Sequence, residues 1–208
     1  MDIAIAYDSW AAQYDTNDNK TRDLEALSLQ KILQGKSFNH CLEIGCGTGK
    51  NTAWLLTICD QITAIDLSNG MLDIAKNKIQ SDKVHFIEGD ITKDWTFAKD
   101  TYDLVTFSLM LEHIEDLHAV FQKIVKVSNT GTLIYIGELH PFKQYAGSKA
   151  RFETESGTQV VTCFNHHVTD FIQAANASGF QLLQLEEQFD AADRSQIPRI
   201  LNLLFEKL

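Results

Sequence analysis

Proline and cysteine are scarce in this 208-residue chain, and that scarcity narrows the reading before any motif is considered. The two prolines, Pro141 and Pro198, leave no proline-rich linker. With no low-complexity tract and no internal repeat, the length suits a single domain over 1–208. Four cysteines, at 41, 46, 59 and 163, form no CxxC pair and match no zinc spacing, so no metal site is expected. Cys41 and Cys59 fall in apolar strand-like runs, where cysteine serves as a small core residue in a reducing compartment. No hydrophobic run reaches the roughly 20 residues of a membrane span. Met1-Asp2-Ile3-Ala4 lacks the charged start and apolar centre of a secretory signal. A cytoplasmic protein without a membrane partner is the expectation. Positive charge is also in deficit, with 18 Lys and Arg against 28 Asp and Glu and a net charge of −10. That balance disfavours a broad basic face for nucleic acid. What remains, 44% hydrophobic and 22% charged residues, is enough to fill an ordinary globular core.

The apolar pattern alternates between helical and strand periods. Leu24, Leu27 and Ile32 predict a helix over 24–33. Short apolar runs predict strands at 40–44, 61–66, 84–87, 102–107 and 132–137. Helices are predicted between them at 48–58, at 68–79 with Ser68 as cap, and at 116–127. Strands separated by helices of this length imply βαβ units and a parallel sheet. After Pro141 the pattern changes. Runs at 151–154 and 159–164 flank Ser156-Gly157, a hairpin signal. A helix over 168–178 stops at Gly179, and strands at 180–186 and 200–205 close the chain. The expected fold is therefore α/β: a Rossmann-like seven-stranded, mostly parallel sheet with helices on both faces. Residues 1–35, as lid helices, and 141–167, as an insertion, are expected to form a small cap over the carboxyl ends of the strands. The last strand, 201–208, is expected at or next to the sheet edge, where it can pair with another subunit; monomer and homodimer both stay open.

The first strand runs into Gly45-Cys46-Gly47-Thr48-Gly49 and then a helix, an arrangement that lets backbone approach a ligand. Spacing separates the chemistries that use such turns. A P-loop needs its first glycine where Ile44 stands and Ser or Thr where Asn51 stands, so it fails twice. A dinucleotide fingerprint needs its last glycine where Lys50 stands, which weakens that reading. Glu43-Ile44-Gly45-Cys46-Gly47-Thr48-Gly49 instead resembles the first motif of class I S-adenosylmethionine-dependent methyltransferases of the small-molecule type. Asp66, which ends the second strand 21 residues beyond Gly45, agrees with that family in order and spacing. So do Glu88-Gly89-Asp90-Ile91, Tyr102 to Val105 with the following Ser108 to Ile114, and the aromatic entry segment Tyr7 to Asp15. The likeness covers residues 3–140.

The resemblance implies S-adenosyl-L-methionine as cofactor and S-adenosyl-L-homocysteine as product. It places Asp66 at the ribose hydroxyls, Asp90 at the adenine amino group, and backbone of Gly45 and Gly47 at the amino-acid tail. Tyr14, Leu67, Met71, Ile91 and Ser108 are expected around the same ligand. Arg22 is a candidate for the cofactor carboxylate, with a helix-surface arginine beside Asp23 and Glu25 as the bland alternative. Glu43 is counted with these residues, its expected part being to order the turn through backbone N–H groups. Tyr7, Trp10 and Tyr14 fall three and four apart, which reads as a packed helix stripe or as a lid over the cofactor.

His113 follows the fourth strand, near the methyl-transfer site in this family, His140 stands at the carboxyl end of the fifth strand and His167 precedes the last helix; all three are candidate bases or substrate-binding groups. His166 neighbours the last of these, while His85 and His118 look peripheral. Lys143, Lys149 and Arg151 in the 141–167 segment favour an anionic small-molecule acceptor. The expected activity is methyl transfer to a small molecule, to oxygen before nitrogen or carbon. Two alternatives stay open: a non-catalytic S-adenosylmethionine-binding regulatory domain and an NAD-dependent oxidoreductase.

Overall fold

A computed structural model describes residues 3–16, 18–149, 151–154 and 157–208, without the side chains of 151–159 and Ala192. Nine strands follow in chain order: β1 (Phe38–Ile44), β2 (Cys59–Asp66), β3 (Val84–Glu88), β4 (Tyr102–Ser108), β5 (Ser128–Leu139), β6 (Arg151–Thr154), β7 (Gly157–Val160), β8 (Phe180–Gln188) and β9 (Ile200–Lys207). The helices are α1 (Ile3–Tyr14), α2 (Lys20–Leu33), α3 (Lys50–Leu55), α4 (Asn69–Lys78), α5 (Leu117–Lys126), α6 (Pro141–Tyr145) and α7 (Val168–Ala177).

Seven strands form one sheet in the order β3-β2-β1-β4-β5-β9-β8. β1 to β5 are parallel, and β9 runs antiparallel to both of its neighbours. The period of two along β4 divides the core. Val105 and Phe107 pack with Phe121, Phe180 and Phe205 on one face, whereas Leu104 packs with Leu29, Leu33, Tyr135 and Leu204 on the other. Central strands buried on both faces read as near-continuous apolar runs, as Cys41-Leu42 and Leu104-Val105 do at 0% exposure. Helix starts follow their caps: the Ser68 hydroxyl accepts from Met71 N–H at 3.1 Å, and Asp116 accepts from Ala119 N–H at 3.0 Å. The strand order reverses between β1 and β4, and a crevice opens there at the carboxyl ends.

Three expectations change. The N-terminal helices do different things: α2 packs flat against β5 and β9, burying Ala26, Leu29, Ile32 and Leu33, and only α1 lies at the crevice. Two aspartates hold α1 there. Asp8 accepts from Gly70 N–H (2.9 Å) and the Ser68 hydroxyl at the start of α4, and Asp15 accepts from the Thr48 hydroxyl (2.7 Å) and pairs with Lys78. The cap hairpin exists, with Arg151 opposite Val160 and Thr154 opposite Gly157, but its second strand ends at Val160. The chain beyond it turns inward because Phe164 N–H donates to the Glu112 carbonyl at 2.7 Å and Val161 packs on Ala6 and Trp10. Ser156, in the predicted turn, lies outside the described residues. Finally, β9 takes the expected place next to the sheet edge, between β5 and β8, but with both of its edges paired it has none to offer another subunit. Among the described residues, no helix is long and apolar enough to cross a membrane.

Candidate active site

β1 ends at Ile44, and the chain turns through Gly45 (φ +75°) and Gly47 (φ +55°), a backbone region that side-chain-bearing residues rarely enter. Gly45 is also crowded: a Cβ there would lie 2.9 Å from the Met110 side chain. Gly45 and Cys46 N–H donate to the Ile65 carbonyl at 2.8 and 3.0 Å, tying the turn to β2. The Asp66 carboxylate completes the tie by accepting from Gly47 N–H at 2.8 Å and Ser68 N–H at 2.9 Å. Burial pushes the Asp66 carboxyl up, while those backbone donors oppose the shift.

These groups wall a crevice of about 780 Å³. Gly45, Gly47, Asp66, Leu67 and Met71 line it from β1 and β2, Asp90 and Ile91 from the end of β3, and Ser108 to Met110 and His113 from β4. Ile3, Tyr7 and Tyr14 of α1 border it as well. Asp90 has local partners too: its carboxylate accepts from Thr92 N–H (2.9 Å) and hydroxyl (2.6 Å) and pairs with Lys93 at 3.3 Å. A smaller space of about 470 Å³ adjoins the glycine turn and is bordered by Arg22, Glu25, Glu43 and Asn51. A third, of about 1110 Å³, is bordered by Tyr7, Trp10, Arg22, Glu112, Leu139, Lys149 and Arg199. Tyr14 and Leu109 border all three.

Arg22 does not project freely from the helix surface: its guanidinium lies 4.0 Å over the Tyr14 ring and donates to the Tyr14 carbonyl. Glu43 departs from expectation. Its carboxyl accepts from the Thr52 hydroxyl of α3 at 2.6 Å rather than from the turn's N–H groups, and burial pushes its pKa up to about 8. Glu43 faces helix α3 because successive β1 side chains alternate across the sheet. Glu25 of α2 is 2% exposed. It accepts from Asn51 (2.9 Å), Ser108 (2.8 Å) and Tyr135 (3.0 Å), so Ser108 is bound to a buried carboxyl.

The three candidate histidines separate. His113 lines the crevice at 8% exposure. His140 does not: its Nδ1 accepts from Phe142 N–H at 3.2 Å as the cap of α6, and its Nε2 meets Glu187 at 3.1 Å. Burial pulls the His140 pKa down, against the pull of Glu187. His167 precedes α7, where its N–H donates to Asp170 at 2.7 Å and its ring bonds Tyr145, away from the crevice. Both are corrected from candidate bases to helix-start residues; a histidine next to a helix start satisfies local backbone as readily as a substrate. Likewise His166 is buried against Phe171 and meets the Ile114 carbonyl at 2.7 Å. Among the described residues, no group of three or more His, Cys, Asp or Glu is placed to hold a metal.

Two elements of the site had no sequence signal. Leu109 takes φ +54°, unusual for a branched residue, and its N–H donates to the Gly137 carbonyl at 2.8 Å. The turn that follows is held by Glu138, whose buried carboxyl accepts from Met110 N–H (3.0 Å) and Leu111 N–H (2.8 Å), with burial pushing its pKa up to about 8. A glutamate in an otherwise apolar strand is visible in sequence; its partners across β4 are not.

The reversed strand order and the glycine-walled crevice define a Rossmann-like cofactor-binding domain. Residues 42–136 match a family model described as a methyltransferase domain. The chain is similar to the malonyl-(acyl-carrier protein) O-methyltransferase of Priestia megaterium, 29% identical over 76% of this chain and 53% of that protein. It spans about half the length of the curated relatives it matches. Its fold resembles the DhpI–SAH complex structure, with TM-score 0.78 and 21% identity over 98% of this chain and 94% of that one. It also resembles the N-methyltransferase NodS from Bradyrhizobium japonicum WM9 in complex with S-adenosyl-L-homocysteine, with TM-score 0.71 and 18% identity over 98% and 97%. The match over residues 42–136 and the shared fold make the chain similar to S-adenosylmethionine-dependent methyltransferases. The oxidoreductase alternative, already weakened at Lys50, finds no support in these matches.

Proposed function

We propose that the protein transfers a methyl group from S-adenosylmethionine to a small molecule, at oxygen, with His113 as the base. The observation that carries this reading is Asp66: a half-buried carboxylate, fixed by two backbone N–H groups, that lines the crevice at the β1–β4 switch point. A half-buried, pre-oriented carboxylate suits a pair of ribose hydroxyls. Asp90 and Ile91 would receive the adenine edge, and Leu67 and Met71 its faces. The turn at Gly45 and Gly47, with Arg22 and Tyr14 beside it, would receive the amino-acid tail; Glu43 and Ser108 support this end through Thr52 and Glu25. When bound, S-adenosylmethionine supplies a methyl group activated on a sulfonium centre. The chain's own part is to hold the acceptor in line with that methyl, exclude water and take a proton.

The third space, beyond Tyr7 and Leu109, is the proposed acceptor chamber. Lys149 on its border favours an anionic acceptor; Arg199 is already committed to Asp190. The Arg151 side chain lies outside the described residues. An oxygen acceptor is favoured by the histidine at the crevice and by the O-methyltransferase named among the relatives. Screening small acceptors for S-adenosylhomocysteine release tests the reading. Release that depends on a hydroxyl-bearing acceptor supports it; binding of S-adenosylmethionine without release from any acceptor leaves the non-catalytic regulatory domain.

A further inference from the structure

We propose that Tyr7 is a catalytic residue: it receives the acceptor's proton while passing its own to His113. The relay rests on the reading of His113 as the base and changes how that base is reached.

The ring of His113 is fixed at both nitrogens. Nδ1 lies 2.8 Å from the Thr162 carbonyl oxygen, which can only accept, so Nδ1 carries the hydrogen. In the neutral ring the lone pair is then on Nε2, which lies 2.8 Å from the Tyr7 hydroxyl. Tyr7 must donate that bond. The two rings meet edge to face at 5.6 Å and 78°, so the contact is a packed one. An acceptor in the chamber therefore has no direct path to either nitrogen of His113. His113 borders the crevice, whereas Tyr7 borders both the crevice and the acceptor chamber.

Tyr7 is suited to relaying and not to acting alone. Burial, with Tyr14, Glu112, Asp66 and Cys163 around it, holds its phenol well above the usual range, so it stays protonated and can accept a proton only while giving one up. Glu112, a buried carboxyl beside His113, is positioned to offset the charge that the ring gains. The clamps at Asp8 and Asp15 keep α1, and with it Tyr7, in place. In the balanced step the acceptor oxygen bonds to the methyl carbon as the methyl–sulfur bond breaks, its electron pair going to sulfur. The acceptor's proton moves to Tyr7, Tyr7's proton moves to His113 Nε2, and the imidazolium later releases it to water.

The test is Tyr7→Phe in the full chain, which keeps the ring packing and removes the relay oxygen. Nitrogen-15 NMR of the wild type bound to S-adenosylhomocysteine is expected to report the Nδ1–H form of His113, and Tyr7→Phe to shift the Nε2 signal. With an acceptor found by the release screen, kcat is expected to fall about 100-fold, the scale of lost proton-transfer catalysis. S-adenosylhomocysteine affinity and acceptor KM are expected to change by less than about threefold. The wild-type rate should bend with the deuterium fraction of the solvent, as for two protons in flight. A Tyr7→Phe kcat within twofold of wild type, or an Nε2–H form of His113, overturns the relay while leaving the methyltransferase reading standing. A wild type that binds S-adenosylmethionine but releases no product with any acceptor removes both.

Discussion

The proposed donor side and the proposed acceptor side of the site are built in different ways. On the donor side, Gly45, Gly47, Asp66 and Asp90 come from consecutive strand ends and work largely through backbone geometry. On the proposed acceptor side the contacts join distant segments: Tyr7 meets His113, His113 meets Thr162, and Phe164 meets Glu112. Buried carboxyls under the acceptor-side loop replace the glycine turn as the shaping element, with Glu138 holding the strained Leu109 turn. A cofactor common to many enzymes can be held by a local motif, whereas a site for one particular acceptor is drawn from the whole chain.

The sharpest way to break this contrast is at Asp66. Asp66→Ala removes the proposed ribose anchor and frees the Gly47 and Ser68 N–H groups. S-adenosylhomocysteine affinity should fall by about 30- to 150-fold, the scale of 2–3 kcal/mol for hydrogen bonds to a charged group. Calorimetry on a folded variant measures this, and unchanged affinity would sink the donor-side assignment.

Glu138→Ala strikes the acceptor side instead. It leaves two buried N–H groups without an acceptor and should cost about 2–4 kcal/mol of stability, read from urea unfolding. Glu138→Gln keeps a carbonyl oxygen for Met110 and Leu111 and should cost far less.

A pH scan sharpens the same point. Glu43 and Glu138 have folded pKa values raised to about 8 from 4.5. Between those values the folded state binds more protons than the unfolded state, so stability should fall as pH rises from about 5 towards 8. Glu138→Gln should flatten that slope; an equal slope in the variant would remove Glu138 from the cause.

The smallest effects are expected at the two displaced histidines. His140→Ala should cost about 1 kcal/mol of stability through the lost α6 cap, with kcat within twofold of wild type. His167→Ala should change kcat equally little. A large loss of kcat at either position, with the fold intact, would return it to the chemistry.

That Gly45, Asp66 and Asp90 would meet at one crevice was legible because their signals are local. Strand periodicity located β1 to β5, and Ser68 and Asp116 announced their helices. Gly45, Asp66 and Asp90 stand at fixed offsets that survive in any linear reading. The acceptor side was not legible, because histidine carries no directional signal. His113, His140 and His167 look alike in sequence and differ only in what their nitrogens meet: Tyr7 and Thr162, Phe142 and Glu187, or Tyr145. Glu25 carried no signal for a related reason: its partners Ser108 and Tyr135 lie far along the chain. The second hairpin strand was misplaced because 161–164 is apolar enough for a strand, yet its backbone pairs with the loop after β4.

The most direct measurement is parallel calorimetric titration of the wild-type chain with S-adenosylhomocysteine and with NAD. A crevice shaped by the Gly45 turn and Asp66 for the methyl donor predicts saturable binding of one equivalent of S-adenosylhomocysteine and no heat from NAD. Binding of NAD in its place, or of neither ligand, would contradict it.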